Sequence, residues 1–341
     1  MKNRVKLALV ALVLWAPLTL AADEDIGIFE TILKSSVSFS ATNAALEQAI
    51  AASELQLQAT HDVRVPESDH QARLYVLTSP AYITAAAKES PRTVSAQLLR
   101  IAVFTTGDEQ QTIVNMANPV AHALVFYTDS PRHDELLVAA RSVAEDMRQL
   151  MTSVPGTKVS IQAEPMRTAK KYRKFNGDGP AKMMARFRDW RKSQLLLVEA
   201  PADDFDTIVD NVVARLQAVP VGAADDATGW EIVSRVRLAD DAVHLGLTNP
   251  FIEDKMIRIN SRFRNDGKSE ASPYPGVDHV AALPTEVLIV KEGNKTLVLH
   301  YGQMWRMQLY FWDSGYRAFT ANVGVPGTIV DAIEGAVQAD Q

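Results

Sequence analysis

The feature that most constrains this chain of 341 residues is an order of sequence elements that occurs twice. Residues 72–115 contain a strand-like run that ends in Ser79-Pro80, a variable stretch, and two more strand-like runs joined by a glycine turn. Residues 243–299 repeat this order, with Asn249-Pro250 in the corresponding place. A repeated unit fixes the number of domains and their architecture before any single residue is considered. The sequence therefore predicts two equivalent units in tandem.

Hydrophobic periodicity predicts the same kinds of element in both units, namely short strands, hairpins and amphipathic helices. In the first unit, strands are expected over 36–40, 55–59, 73–77, 101–105 and 112–116, with helices after Thr42 and after Ser130-Pro131. In the second, strands are expected over 195–198, 230–238, 243–247, 286–290, 296–300 and 307–312, with helices after Asp203 and over 328–337. This pattern predicts an α+β fold in which each unit is an antiparallel sheet with helices packed on one face.

The first 21 residues are typical of a secretory signal peptide. Three basic residues precede an apolar run from Leu7 to Leu20, which is too short to span a bilayer, and Thr19 and Ala21 are the small residues of a cleavage site. We expect cleavage near Ala21 and a bacterial, periplasmic or secreted mature protein without a transmembrane segment. The mature chain then divides into a first domain over 31–155, a linker over 156–194 and a second domain over 195–341.

Composition limits how such a protein is stabilised and what it binds. The chain has no cysteine, so its units are stabilised by packing and not by disulfides. Without the three basic residues of the leader, 32 basic residues face 41 acidic ones, which leaves a net charge of −9. This balance argues against non-specific binding to nucleic acid, and we expect no nucleic-acid partner.

The expected linker is unusually basic, with eleven basic and three acidic residues between Gly156 and Lys192. Pro180 can begin an amphipathic helix whose cations are Lys182, Arg186, Arg188, Arg191 and Lys192. Such a helix either docks on anionic lipid or an acidic partner, or simply packs its apolar side between two acidic domains.

Two short motifs give the chain a resemblance to a known family. The second unit reads Leu247-Thr248-Asn249-Pro250 and Leu283-Pro284-Thr285-Glu286-Val287, and the first has the weaker versions Leu77-Thr78-Ser79-Pro80 and Leu98-Leu99-Arg100-Ile101-Ala102. Each unit thereby resembles the DUF302 family of small α+β domains. The resemblance implies a TBP-like β-α-β(4)-α fold, but no activity, because none is firmly established for the family. Many members carry a cysteine near these motifs. Thr248 and Thr285 stand there in this chain, so a thiol-based role is excluded.

Candidate ligand-binding residues concentrate in the second unit, where histidines and a dense aromatic cluster lie near the motifs. They are His244, Asn249, His279, His300, Tyr301, Trp305, Tyr310 and Trp312. Aromatic side chains suit a surface that is partly apolar and partly wet, such as a ligand wall or the interface between the units. Arg258, Arg262 and Arg264 lie in the longer loop of this unit and can attract an anionic ligand.

Other chemistry has weaker support in the sequence. His61, Asp62 and His70 are weak candidates for Zn²⁺ or Cu²⁺ ligands, because their spacing matches no recognised site. No nucleophile elbow, zinc-protease motif or Walker loop is present, and no cofactor is indicated. We therefore expect an exported, non-enzymatic protein that binds a small molecule or a periplasmic partner. The alternatives are a hydrolase or isomerase that uses the second-unit histidines, and a protein that docks through the basic helix.

Overall fold

A computed structural model describes residues 25–174, 190–263 and 275–338. The α+β class expected from the sequence is confirmed, because two antiparallel sheets each carry helices on one face. Within the described part of the chain, no helix combines the length and the apolar character that crossing a bilayer requires.

The first sheet has six strands, and five helices accompany it. The strands are β1 (Asp25–Ser35), β2 (Gln56–Val63), β3 (Ala72–Thr78), β4 (Leu99–Thr106), β5 (Gln111–Ala117) and β6 (Gly156–Thr168). The helices are α1 (Phe39–Ala51), α2 (Pro80–Ala86), α3 (Pro119–Phe126), α4 (His133–Leu150) and α5 (Ala169–Arg173). The strand order is β2-β3-β4-β5-β1-β6.

The second sheet has five strands and also five helices. The strands are β7 (Gln194–Pro201), β8 (Glu231–Ala239), β9 (Ala242–Thr248), β10 (Thr285–Glu292) and β11 (Lys295–Tyr301). The helices are α6 (Phe205–Ala218), α7 (Pro250–Phe263), α8 (Gln303–Phe311), α9 (Gly315–Ala321) and α10 (Val325–Gln338). The strand order is β7-β11-β10-β9-β8. Each sheet thus places its first strand beside its fifth, followed by the fourth, third and second, and β6 is an addition to the first sheet.

The two faces of each sheet have different partners. On one face of the first sheet, Tyr75 donates a hydrogen bond to Asn43 of α1 at 2.7 Å, and fully buried Glu30 pairs with Arg148 of α4. The other face is covered by the second unit. Two 3₁₀ segments make this contact, and we call them the first arm (Pro91–Gln97) and the second arm (Val277–Ala282).

The arms pack reciprocally. The first arm lies on β8, β9 and β10 of the second sheet, and the second arm lies on β3, β4 and β5 of the first. The facing surfaces of the two sheets are therefore buried inside the molecule, with the arms between them, and α3 of the first unit contacts α8 of the second.

Two strand predictions at the ends of the units are wrong. Residues 36–40 do not form a strand, because β1 ends at Ser35 and the Ser38 hydroxyl accepts a hydrogen bond from Ala41 N to cap α1. Residues 307–312 lie mainly in helix α8. Its residues are buried on most sides, so the alternation of Met307, Leu309 and Phe311 does not distinguish a strand from a helix.

The linker prediction is also corrected at its start. Residues 156–168, assigned to the linker from sequence, form β6 and pair with β1 along most of its length. Residues 175–189 lie outside the described part of the chain, and they include most of the expected basic helix, which begins at Pro180. Beyond them, Trp190 is buried and packs edge-on against Phe126, with ring centres 5.4 Å apart.

Candidate functional site

The charged side chains on the facing surfaces of the two sheets come from equivalent positions. Arg100 in β4 and Glu286 in β10 each lie seven residues before the glycine of the following hairpin, Gly107 and Gly293. The strand pairing gives the same equivalence. Leu77 of the first unit pairs with Leu99, and its equivalent Leu247 pairs with Thr285. Arg100 and Glu286 are the next residues along these two strands. Alignment of the sequence motifs alone had matched Arg100 with Thr285, one residue away.

Arg100 and Glu286 meet between the sheets, together with three residues of the adjoining helices. Arg100 Nη1 lies 3.8 Å from Glu286 Oε1, and Arg306 Nε lies 3.5 Å from Glu286 Oε2. The set, which we call the central cluster, is completed by His122 of α3 and Tyr310 of α8. Its members are at most 5% exposed.

Hydrogen bonds fix the protonation of His122. Its Nε2 lies 3.0 Å from Arg100 Nη2 and 2.9 Å from the Tyr310 hydroxyl, and both groups can donate to a neutral imidazole nitrogen. Burial, together with the positive charges of Arg100 and Arg306, lowers the pKa of His122 well below its ordinary value. His122 therefore adds no charge to the cluster at neutral pH.

The remaining charges of the central cluster do not balance. Two guanidinium groups face one carboxylate, and no other described carboxylate lies within 4.0 Å of Arg100 or Arg306. The nearby ring of His244 is neutral too, because burial lowers its pKa to about 4. A net positive charge is therefore buried between the units.

Arg306 also reaches a pocket on the other side of α8. The guanidinium donates from Nη2 to the carbonyls of Ala282 and Pro284 at 2.7 and 2.9 Å, and from Nη1 to the Thr285 hydroxyl at a longer 3.4 Å. Arg306 and Thr285 both line this pocket, so its polar end is continuous with the central cluster.

Three helices form the apolar walls of this pocket, which we call the α7–α8–α10 pocket. Its lining comprises Ile252, Lys255, Met256 and Ile259 of α7, Gln303, Arg306, Met307 and Phe311 of α8, Val325, Pro326 and Ile329 of α10, and Ala282, Leu283 and Thr285 below them. The four α7 residues follow helical spacing and so share one face. The cavity measures about 60 Å³, several times the ~10–15 Å³ that one water needs. A mainly apolar space whose lining includes the buried Arg306 and hydrogen-bonding groups suits a small amphipathic molecule.

A second, more polar opening lies at the junction of the units. This junction cleft has a volume of about 610 Å³ and is lined by His61, Asp62 and Arg64 of the first unit and by residues of α6, β8 and α7, including Trp230, Glu231 and Glu253. The cleft is larger than the α7–α8–α10 pocket, but its central charged groups already pair with one another.

His61 joins the units across this cleft. Its Nε2 lies 2.7 Å from Glu253 and its Nδ1 lies 3.3 Å from Glu231. Buried Glu253 also accepts hydrogen bonds from Arg64 N and from the Thr248 hydroxyl. Burial acts to lower the pKa of His61, but the hydrogen bond to Glu253 and the surrounding carboxylates raise it above its ordinary value. The two carboxylates bind opposite nitrogens of one ring, which is the arrangement for a charged imidazolium and not for metal chelation.

The histidines of the second unit do not converge. His244 faces the first unit from β9, whereas His300 faces the helices from β11, where its Nε2 lies 4.0 Å from Glu334. His279, on the second arm, lies between Asp278 and Asp313 and is stacked on Phe311. Although burial lowers the pKa of His279, the two aspartates raise it above its ordinary value. The enzyme alternative expects these histidines in one concave site, and the structure separates them.

The other predicted ligand residues have structural partners. Asn249 caps α7 by accepting from Ile252 N and donates to the carbonyls of Ala227 and Gly229. Tyr301 stacks on Trp305 with ring centres 5.5 Å apart. Tyr310 belongs to the central cluster, and Trp312 packs edge-on against Phe319.

The three weak metal candidates also have separate partners. Asp62 pairs with Arg73, His70 contacts the Thr105 hydroxyl, and His61 lies in the junction cleft. Among the residues that the structure describes, no group of three or more histidines and carboxylates is placed to hold a metal ion.

The cationic candidates are largely paired or outside the described residues. Arg191 forms an ion pair with Asp129, and Arg258 pairs with Asp254 and Glu67. Lys192 has an interaction partner. Lys182, Arg186, Arg188 and Arg264 lie outside the described residues, as does the side chain of Arg262.

Of the central cluster, sequence reasoning named only Tyr310 as a candidate ligand-binding residue, and it did not identify the pocket. A usable signal existed for Arg100, which is a charged residue inside the apolar run Leu98–Phe104 and so requires a buried partner. Helical spacing did not reveal the pocket, because Arg258 of α7 was assigned to a loop and residues 307–312, which lie mainly in α8, to a strand.

Known proteins resemble this chain only distantly. No family model matches it. The chain is 26% identical over 198 residues to a cytidylate kinase of Nocardia farcinica (strain IFM 10152). The aligned region covers 57% of this chain and 77% of the kinase. Among solved structures, an uncharacterized conserved protein DUF302 from Bacillus stearothermophilus matches 37% of this chain and 98% of its own, with 14% identity and a TM-score of 0.32. Neither similarity assigns the chain to a family or to an activity.

Proposed function

We propose that this chain is an exported, non-enzymatic binding protein that holds a small amphipathic molecule in the α7–α8–α10 pocket. The observation that carries the proposal is the composition of that pocket, whose apolar walls end at the buried Arg306 and Thr285. Pockets of this kind, mostly apolar with a few convergent polar groups, are where small molecules usually bind.

The polar lining favours binding over chemistry. Lys255, Thr285, Gln303 and Arg306 supply positive charge and hydrogen-bonding groups. Such groups hold a ligand in a fixed orientation, whereas the histidines that an acid–base mechanism would use lie elsewhere in the unit.

We further propose that the chain consists of two DUF302-like units related by tandem duplication. Two observations support this origin: the shared strand order of the sheets, and the equivalent positions of Arg100 and Glu286. The first unit then extends to β6, and the second begins near β7. Export rests on the signal-like leader, and mass spectrometry of the mature protein would test it, with Ala22 as the expected first residue.

The binding function is tested by thermal unfolding with a panel of linear C6–C12 compounds that carry neutral, cationic or anionic head groups. At least one compound should raise the melting temperature by several degrees at saturating concentration, because a ligand stabilises only the folded state.

Met307→Trp is the matched control, because Met307 is only half-buried and the larger ring would fill the cavity. This variant should keep the fold but lose the ligand-induced shift. If no compound stabilises the wild type, or if the filled variant responds equally, the proposed function is wrong.

A further inference from the structure

The unbalanced charge of the central cluster defines what kind of ligand the pocket takes. Arg100 and Arg306 share the single carboxylate of Glu286, and the neutral rings of His122 and His244 add no charge. A buried charge without a counter-ion is costly, because the low-dielectric interior does not replace the water it has lost. A ligand that brings one negative charge to Arg306 would relieve this cost.

Hydrogen-bonding capacity remains where such a charge would sit. Arg306 Nη2 is engaged by two carbonyls, but Nη1 makes only the 3.4 Å contact to Thr285 Oγ1. The Thr285 hydroxyl accepts that bond and still has its own proton to donate. Nη1 and this hydroxyl, both at the pocket end, match the two oxygens of a carboxylate.

Two further features of the pocket indicate its ligand, namely the aliphatic lining and the charge of Lys255. The lining of the pocket is mainly aliphatic and comes from three helices, so an alkyl chain would contact apolar side chains along its length. Lys255 lines the pocket from α7, and no described carboxylate pairs with it within 4.0 Å. Its charge adds to the positive potential along the path by which an anion enters.

We propose that the α7–α8–α10 pocket binds a linear aliphatic carboxylate, with its head group on Arg306 and Thr285 and its chain along the apolar faces of α7, α8 and α10. This inference rests on the proposed binding function and adds to it the ligand class and its orientation. The carboxylate restores the charge balance of the central cluster, and the chain replaces water in the cavity.

The test measures binding of decanoate, 1-decanol and decylammonium to the full-length mature protein by titration calorimetry. Decanoate should bind at least tenfold more tightly than 1-decanol, because only the carboxylate compensates the buried charge. Decylammonium should bind more weakly than 1-decanol, since its charge has the wrong sign.

Thr285→Val tests the orientation, because valine keeps the shape of threonine but removes the hydroxyl. It should weaken decanoate binding at least fivefold and leave 1-decanol binding within twofold of the wild type. Thr112→Val, at a buried threonine of β5 in the first unit, is the matched control and should change neither affinity. Thermal unfolding of each variant establishes that it is folded.

Two results would overturn the inference while the binding function stands. If decanoate and 1-decanol bind equally and Thr285→Val affects neither, the pocket does not select a carboxylate. If Lys255→Gln removes the preference for decanoate and Thr285→Val does not, the head group lies at the mouth and the proposed orientation is wrong. Failure of all three compounds to bind would refute the inference, and the binding function falls with it only if the C6–C12 panel also fails to stabilise the protein.

Discussion

Replacement of His244 by leucine should make the protein more resistant to acid. The imidazole of His244 is 1% exposed, and neither ring nitrogen has a hydrogen-bond partner in the structure. Burial lowers its pKa from 6.5 to about 4; the charges of Arg100 and Arg306 act in the same direction, and that of Glu286 opposes them. The folded protein therefore resists protonation at this site, whereas the unfolded chain accepts a proton readily.

The sign and the size of the effect follow from these two pKa values. A histidine whose pKa is lowered by folding destabilises the protein as the pH falls below 6.5, and the loss levels off once the pH passes the folded-state value near 4. Linkage gives a loss of about 2 kcal/mol at pH 5 and about 0.1 kcal/mol at pH 7.5. Leucine does not titrate, so this loss is absent from the variant.

The assay is urea unfolding of wild type and His244→Leu at pH 5 and pH 7.5, followed by tryptophan fluorescence. Measurement at pH 7.5 is the internal control, because it captures every effect of the new side chain that does not depend on protonation. The free energy of unfolding should fall between the two pH values by about 2 kcal/mol less in the variant than in the wild type. If the free energy of unfolding falls equally in both proteins, the pKa of His244 does not change on folding. The argument that the surroundings of His244 carry a buried positive charge would then be weakened.

Three further changes probe other parts of the molecule. His61→Asn removes an imidazole whose pKa is raised by folding. Such a group stabilises the folded state fully below pH 6.5, and this stabilisation is lost as the pH rises through the folded-state pKa. Urea unfolding should therefore show a larger destabilisation of the variant at pH 6 than at pH 9. Arg148→Met leaves the fully buried carboxylate of Glu30 without its cation and should cost about 3–5 kcal/mol in the same assay at pH 7; a cost below 1 kcal/mol would contradict the buried pair. Gly246→Ala would place a methyl group 2.4 Å from a ring carbon of Pro284 and should cost about 1–3 kcal/mol, whereas an unchanged melting temperature would mean that β9 moves freely away from it.

Helical spacing predicted α1, α4, α6 and α10, each of which has an exposed and a buried side. The long helix α4 is an example, because its buried residues Leu136, Leu137, Ala140, Val143, Ala144, Met147 and Leu150 are the positions chosen from helical spacing. Helices α3 and α8 contact each other at the junction of the units and are buried on most sides. Burial on all sides removes the periodicity, so α3 was not predicted and much of α8 was assigned to a strand.

The candidate site was harder to predict, because it depends on contacts between residues far apart in the chain. Arg100 and Tyr310 are separated by 210 positions, and no local pattern links them. The repeat itself came close, since its motifs made Arg100 equivalent to Thr285, whereas the strand ladders make Arg100 equivalent to Glu286. A shift of one residue exchanges the two faces of a strand, so this small error concealed that Arg100 and Glu286 form a charge pair between the units.

The reciprocal arms make the halves of this protein dependent on each other. Each half leaves one sheet face with buried strand residues, and the segment that covers that face belongs to the other half. Cutting the chain between β6 and β7 would therefore produce two fragments with exposed apolar surfaces rather than two independently folded domains. Neither half can complete its folding before the other half is present. During synthesis, the amino-terminal half therefore depends on the carboxyl-terminal half to become fully folded.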